Sequence, residues 1–390
     1  MSGPEPSVSQ PIYLDYNATT PVHPSVADVM DRVLREDFGN PSSDHVYGRK
    51  GRSRVEEARF RVAALIGCGT GDVLFTGGGS ESNNLALRGA AEALGDRLGG
   101  VVISAVEHPA VQQPSRWLAA RGIELETVAV DGAGEVDPED VERAAEKLSG
   151  GGRTALVSVM HANNEVGTLQ PVAEIARRVK RFGAVVHTDA AQTVGKIPVD
   201  VDALGVDLLT IAGHKLYGPK GVGALFVRPG TPLAPFILGA GHERGLRAGT
   251  ENVAGAAGLG EACRLARVDG PAHEDRIRAM RDRLLEGLLL RIPGLRRNGH
   301  PRRVLPNTLH MSFPDAAGRD VLARCPGIAA STGSACHEGE DRPSGVLGAM
   351  GLSTAEAIGA VRLSLGVWTE EDHVDLAADL LAAAWKEVVG

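Results

Sequence analysis

The chain has 390 residues, 43% of them hydrophobic and 23% charged, which is enough apolar material for a large core with a smaller companion. A formal charge of −8 provides no basic field for nucleic acid or an anionic membrane surface, and no apolar run approaches the ~20 residues that span a bilayer. Four cysteines without paired spacing exclude a disulfide framework or a Cys-x-x-Cys metal site, and Met1–Gln10 lacks a signal-peptide core; the expectation is a soluble, reduced, cytoplasmic protein with no bound metal.

The Ser- and Pro-rich start reads as a loose arm, set at residues 1–20. From about Asp72 onward, strand-like and helix-like stretches alternate. Strands are expected at Val73–Thr76, Val101–Ser104, Glu124–Val130, Ala155–Met160, Ala184–Asp189, Leu208–Ala212 and Val222–Val227. Helices are expected between them at Ser80–Leu94, Ala110–Ala120, from Pro138 to near Leu148, and at Val172–Arg181. That alternation predicts an α/β fold with a mainly parallel sheet covered on both faces. A helix over Asn252–Leu290 leads into a mixed tail, with strands at Thr308–Phe313, Ile328–Ser331 and Val361–Leu365 and a closing helix at Glu370–Val389. The division expected is a large domain over 21–255 and a small α+β C-terminal domain over 256–390.

Ligands of such sheets collect beyond the C-terminal ends of the strands, and the polar clusters of this chain fall there. Thr76-Gly-Gly-Gly-Ser-Glu-Ser-Asn-Asn84 joins strand to helix: either Gly79 and Ser80 open a phosphate-binding helix N-terminus, or the loop is an ordinary turn with Ser80 as cap. Asp189 ends a strand, as a helix cap or as a carboxylate holding a proton on a heteroaromatic nitrogen. Lys215 lies between an apolar strand and a glycine turn, beside His214, where a desolvated amine suits Schiff-base chemistry with a carbonyl. Only seven lysines accompany thirty-four arginines, so each remaining lysine draws notice. His108, next to Glu107, is a cap, a core histidine, or a proton shuttle stacked on a flat cofactor. Arg362 interrupts an apolar strand, to meet an internal carboxylate or a substrate's. Cys68, Cys263 and Cys325 read as buried fillers, whereas Cys336, among small and charged neighbours, reads as a reachable thiol on a mobile loop, with His337 beside it.

Taken in order, these blocks resemble the NifS/IscS-type cysteine desulfurases, pyridoxal-phosphate enzymes of aminotransferase class V and fold type I. The resemblance rests on Tyr13-Leu-Asp-Tyr-Asn-Ala-Thr-Thr-Pro21, Phe38-Gly-Asn-Pro-Ser-Ser43, Glu107-His-Pro109, Met160-His-Ala-Asn-Asn-Glu-Val-Gly167, Asp189-Ala-Ala-Gln192, Gly213-His-Lys-Leu-Tyr-Gly-Pro-Lys-Gly221, Gly241-His-Glu-Arg-Gly-Leu-Arg-Ala-Gly-Thr250 and Ser334-Ala-Cys336. It implies a fold of seven-stranded type and a pyridoxal 5′-phosphate cofactor linked to Lys215. Asp189 would meet the pyridine nitrogen, Gln192 and Asn164 the phenolic oxygen, and His108 would stack on the ring. Gly79, Ser80 and His214 would hold the phosphate, with Thr250 reaching in from the other subunit of a homodimer. Arg362 and Asn164 would take the carboxylate of L-cysteine, and Cys336, in the small domain, would accept its sulfur as a persulfide and pass it to an acceptor protein, for iron–sulfur assembly or another thiolation route.

Three positions depart from the family pattern. Ala212 removes a hydroxyl from the phosphate cup, at a cost on the order of 1 kcal/mol; Ser80 replaces the commoner Thr; Val367 stands where an Arg often follows Ser-Leu-Gly. The charged stretch after Cys336 resembles the selenocysteine lyases, which makes such a lyase the nearest rival. A cysteine hydrolase using Cys336 and His108 is a second rival, and a non-catalytic pyridoxal-fold scaffold in a sulfur relay is a third.

Overall fold

The structure, a computed structural model, describes residues 10–332 and 344–390. In chain order the strands are β1 (Ile12–Tyr13), β2 (Val73–Thr76), β3 (Leu98–Ser104), β4 (Leu125–Val128), β5 (Thr154–Ser158), β6 (Val185–Asp189), β7 (Leu208–Ala212), β8 (Gly223–Val227), β9 (Arg296–Asn298), β10 (Thr308–Ser312), β11 (Ile328–Ala329) and β12 (Ala360–Ser364). Strands β2 to β8 make one seven-stranded sheet in the order β2-β8-β7-β6-β5-β3-β4. Neighbours from β7 through β4 run parallel, and β8 is antiparallel to both β2 and β7. Only β8 is therefore reversed, and the C-terminal ends of the other six strands open on one edge.

Alternation along each strand explains why both faces are covered. Val102, Val186, Leu209 and Ile211 join one apolar cluster, while Val101, Ile103, Val185 and Leu208 join another on the opposite face. The first cluster also takes in two long helices, Val46–Ile66 and Val253–Arg291. These approach closely because small residues face each other: a Cβ on Gly260 would lie 2.6 Å from Ala58 Cα.

The helix Val253–Arg291 runs on to a second core. Its first half contributes Ala256, Leu259 and Cys263 to the main cluster, and its second half contributes Met280, Leu284 and Leu288 to a cluster with β10, β12 and the closing helix Glu371–Val389. There β12-β10-β9 form an antiparallel sheet, with His310 directly opposite Arg362. Strand β1 pairs with β11, and Leu14 packs into the same cluster, so the amino end is tied to the carboxyl-terminal third. Among the described residues no helix is long and apolar enough to cross a membrane.

The fold also holds elements that the sequence pattern does not predict: the helices Pro24–Glu36 and Val46–Ile66, strands β1 and β9, and the short helices Gly345–Ala349 and Thr354–Ile358. The helical run after β2 begins at Gly79, with Gly78 as its cap residue at φ 143°, so Ser80 lies inside the first turn and is not the cap. That run also carries a π-helical stretch over Leu85–Gly89.

Candidate active site

The polar strand ends converge on one cavity of about 1050 Å³. Gly79, Ser80, His108, Asn164, Asp189, Gln192, His214, Lys215 and Arg362 all line it. Thr250 does not; it is exposed elsewhere on the chain. Cys336 and His337 lie outside the described residues.

Parallel pairing of β6 with β7 places the end of β6, Asp189, beside the turn that follows β7. Asp189 is buried; one carboxylate oxygen accepts from Ala191 N at 2.9 Å and the other from Asn83 Nδ2 at 2.7 Å. No helix directly follows β6, so Asp189 is not a helix cap; its contact with Ala191 N closes a turn, and the residue lines the cavity. His161 N donates to Asp189 O at 2.9 Å, fixing the strand end from below.

The turn after β7 carries Lys215 and is clasped by the amino-terminal strap Asn17–Thr20. Lys215 Nζ donates to Asn17 O at 2.6 Å and Ala18 O at 2.8 Å, His214 Nδ1 meets Thr19 Oγ1 at 3.2 Å, and Thr20 N donates to His214 O at 3.0 Å. Tyr217 holds a positive φ of 64°, uncommon for a residue with a side chain, and its N–H donates to Thr20 Oγ1 at 2.8 Å while its hydroxyl accepts from Val367 N at 3.0 Å. Burial, and then the charge of Arg362, lower the Lys215 amine to about 8. Burial, and then Lys215, hold His214 down at about 4, so its imidazole is neutral near pH 7.

His108 caps the helix Pro109–Ala119, its Nδ1 accepting from Ala110 N at 3.1 Å, and still lines the cavity; burial lowers its pKa. Beneath it Glu107 is fully enclosed. Its Oε1 accepts from Met160 N at 2.8 Å and from Ser104 Oγ at 2.5 Å, its Oε2 has no partner among the described residues, and burial raises the carboxyl to about 8.

The opposite wall comes from distant segments. Arg362 donates through one Nη to Asn164 O at 2.9 Å and through the other to Asp15 Oδ1 at 2.7 Å and Ser331 Oγ at 3.0 Å, and its buried Nε has no partner among the described residues. The internal ion pair expected for this residue is therefore present, while the guanidinium also faces the cavity. Motif reading does not single out Asp15, Asn17, Asn83 or Ser331. Asn83 sits inside the glycine-rich loop, and Asp15 and Asn17 inside the first family-like block, so those stretches held the only signal.

The residues present fit pyridoxal phosphate. Asp189 is a buried carboxylate with amide partners only, suited to a protonated ring nitrogen. The first-turn amides of the helix begun by Gly79 carry no helical hydrogen bond, suiting a phosphate, and Gly79 is closely seated, since a Cβ there would lie 3.3 Å from Ala212 Cβ. Lys215 supplies an amine of lowered basicity for an aldehyde.

Comparison with known proteins agrees with this geometry. The chain is 43% identical over 372 residues to cysteine desulfurase IscS of Dictyoglomus turgidum, covering 95% of this chain and 93% of that protein. A solved structure named as a NifS-like protein superposes with a TM-score of 0.90 at 35% identity, covering 97% of this chain and all of that one. SspA in complex with cysteine matches at 33% identity with a TM-score of 0.80, covering 90% and 98%. Residues 12–376 match the model of the aminotransferase class-V family, and the chain belongs to that family.

Proposed function

We infer that the chain is a pyridoxal-phosphate-dependent cysteine desulfurase, with L-cysteine bound between the strand-end floor and the Arg362 wall of the central cavity. The observation that carries this reading is the convergence of Lys215, Asp189, His108 and Arg362 on one cavity, from four segments of a chain whose relatives bear that name. Bound pyridoxal phosphate supplies an electron sink for the carbon framework of the amino acid. Asp189 would keep the ring nitrogen protonated, Gln192 and Asn164 would meet the ring oxygen, and Gly79, Ser80 and His214 would hold the phosphate.

The remaining work belongs to the side chains. Arg362, held in place by Asp15 and Asn164 O, offers its remaining N–H donors to the substrate carboxylate. Lys215 loses its proton near pH 8 and moves the substrate α-proton, with the neutral imidazole of His108 as a second carrier. Cys336 as thiolate attacks the substrate sulfur; the carbon–sulfur bond breaks, a Cys336 persulfide forms, and the carbon frame takes a proton and leaves as alanine. An acceptor protein then takes the sulfur from the persulfide.

We further propose a homodimer in which Thr250 completes the partner's phosphate site. Thr250 is exposed and does not line its own cavity, and large apolar side chains at Phe38, Tyr47, Phe60 and Leu238 are exposed. The free thiols of Cys68, Cys263 and Cys325 are consistent with a reducing, cytoplasmic setting. The deciding experiment measures alanine and sulfide from L-cysteine for wild type and Cys336→Ser. The variant is expected to keep the yellow cofactor and lose sulfide release; equal release by both proteins removes Cys336 from the reaction.

A further inference from the structure

Of the seven lysines only Lys215 has a part in the chemistry above, and one of the other six, Lys196, lies close to it. Lys196 lies in the turn after β6, where its stem borders a separate cavity of about 180 Å³ behind the Lys215 turn. Its amine donates to Gln192 Oε1 at 2.7 Å and to Asn17 Oδ1 at 2.9 Å. No carboxylate among the described residues pairs with it; burial, and then the cationic charges of Lys215 and Arg362, push its pKa well down. An enclosed amine with cations for neighbours is costly, and the desolvation alone is a standing penalty.

The return on that cost is visible at Gln192. The backbone oxygen of Asn17 only accepts, so the Gln192 amide turns its nitrogen that way, and the Lys196 amine donates to the oxygen left on the other side. One Nε2 hydrogen goes to Asn17 O at 3.0 Å, and the other remains on the cavity side, since Gln192 lines the cavity. The second contact of Lys196 fixes the other edge of this arrangement. Asn17 Oδ1 accepts from both Lys196 and Asn307 Nδ2, and its backbone oxygen accepts from both Gln192 and Lys215.

We propose that Lys196 is a positioning residue that locks the Gln192 amide with its N–H toward the cofactor, so that the ring oxygen always meets a donor. This rests on the reading of Gln192 and Lys215 given above. A donor at that oxygen stabilises its anionic form, and an amide free to flip presents an oxygen there for part of the time.

The test is the pH titration of the visible absorbance of the purified holoenzyme, without substrate. Lys196→Met is expected to move the midpoint up by about one pH unit, the scale of one lost hydrogen bond. Lys196→Gln, which keeps an N–H for Gln192 Oε1, is expected to stay near wild type, separating orientation from charge. Lys196→Met combined with Gln192→Ala is expected to shift no further than Gln192→Ala alone. The proposal is overturned if Lys196→Met titrates with wild type, if Lys196→Gln shifts as far as Lys196→Met, or if the shifts of the double variant add. Should Lys196→Met not fold, Lys196→Gln and the double variant carry the same decision. Borohydride fixation of the wild type followed by peptide mapping checks the underlying reading separately: a label away from Lys215 defeats that reading, whereas a label on Lys215 with additive shifts defeats this one.

Discussion

The floor and the far wall of the cavity are built on different plans. Floor groups stand at the ends of adjacent strands, where the backbone ladder places them: Asp189 after β6, the Lys215 turn after β7, His108 after β3. The wall draws Asp15, Asn164, Ser331 and Arg362 from segments separated by as many as 347 positions, and each is held by side-chain contacts more than by the main sheet. A floor fixed by strand register suits a resident cofactor. A wall held by side-chain hydrogen bonds suits a ligand that arrives and departs.

Substitutions on the two sides should separate accordingly. Lys215→Ala should have the largest effect, reducing alanine formation to background and abolishing borohydride fixation; persistent turnover would break the contrast at its root. Asp189→Asn should lower kcat by roughly a hundredfold, the scale of losing one preorganised electrostatic partner, with KM for L-cysteine changed little. On the wall the split should reverse, with Arg362→Ala raising KM about tenfold to a hundredfold and leaving the cofactor spectrum intact. A spectrum altered as much as in Asp189→Asn would show that the wall also governs the cofactor. Asp15→Asn, which keeps the shape and removes the charge holding Arg362, should raise KM by a few fold only.

The smallest effect concerns stability. Glu107 titrates at about 8 in the fold against an ordinary value near 4.5, so between those pH values the unfolded chain has released a proton that the folded chain retains. Stability of the wild type therefore falls as pH rises across that window, in proportion to the excess protons on the native state. Glu107→Gln removes this dependence, and its melting temperature should gain on wild type by a few degrees between pH 5 and pH 8, as read by calorimetry. A constant difference across the range would place the Glu107 carboxyl back in the ordinary range.

The same contrast governs what could be read from sequence. Lys215, Asp189, His108 and the glycine loop announce themselves because each follows an apolar, strand-like run, and position along the chain is then position in the site. Asp15 and Asn17 carry no such signal, since β1 is two residues long and their partners lie at positions such as 307, 308, 362 and 364. The helix Val46–Ile66 is hidden for another reason. Its buried face is made of Gly48, Gly51, Val55, Ala58, Val62, Ala63 and Ile66, so small residues replace the large apolar stripe by which a helix is usually recognised. His108 caps a helix and Arg362 pairs internally while each also lines the cavity, because such a group can still present its remaining face to a ligand; Asp189 caps no helix, and its carboxylate closes a turn onto Ala191 N instead.

The strap Asn17–Thr20 has a consequence for biosynthesis. It is made before the main sheet, yet three of the residues that pin it, Asn307, Thr308 and Ser364, are made after that sheet is complete. A nascent chain can complete the main sheet while the carbonyl oxygens that seat the Lys215 amine are still unanchored. Loading with vitamin B6 in its active form should therefore depend on segments made after that sheet, and truncation just before Asn307 should leave the lysine present but its berth unmade.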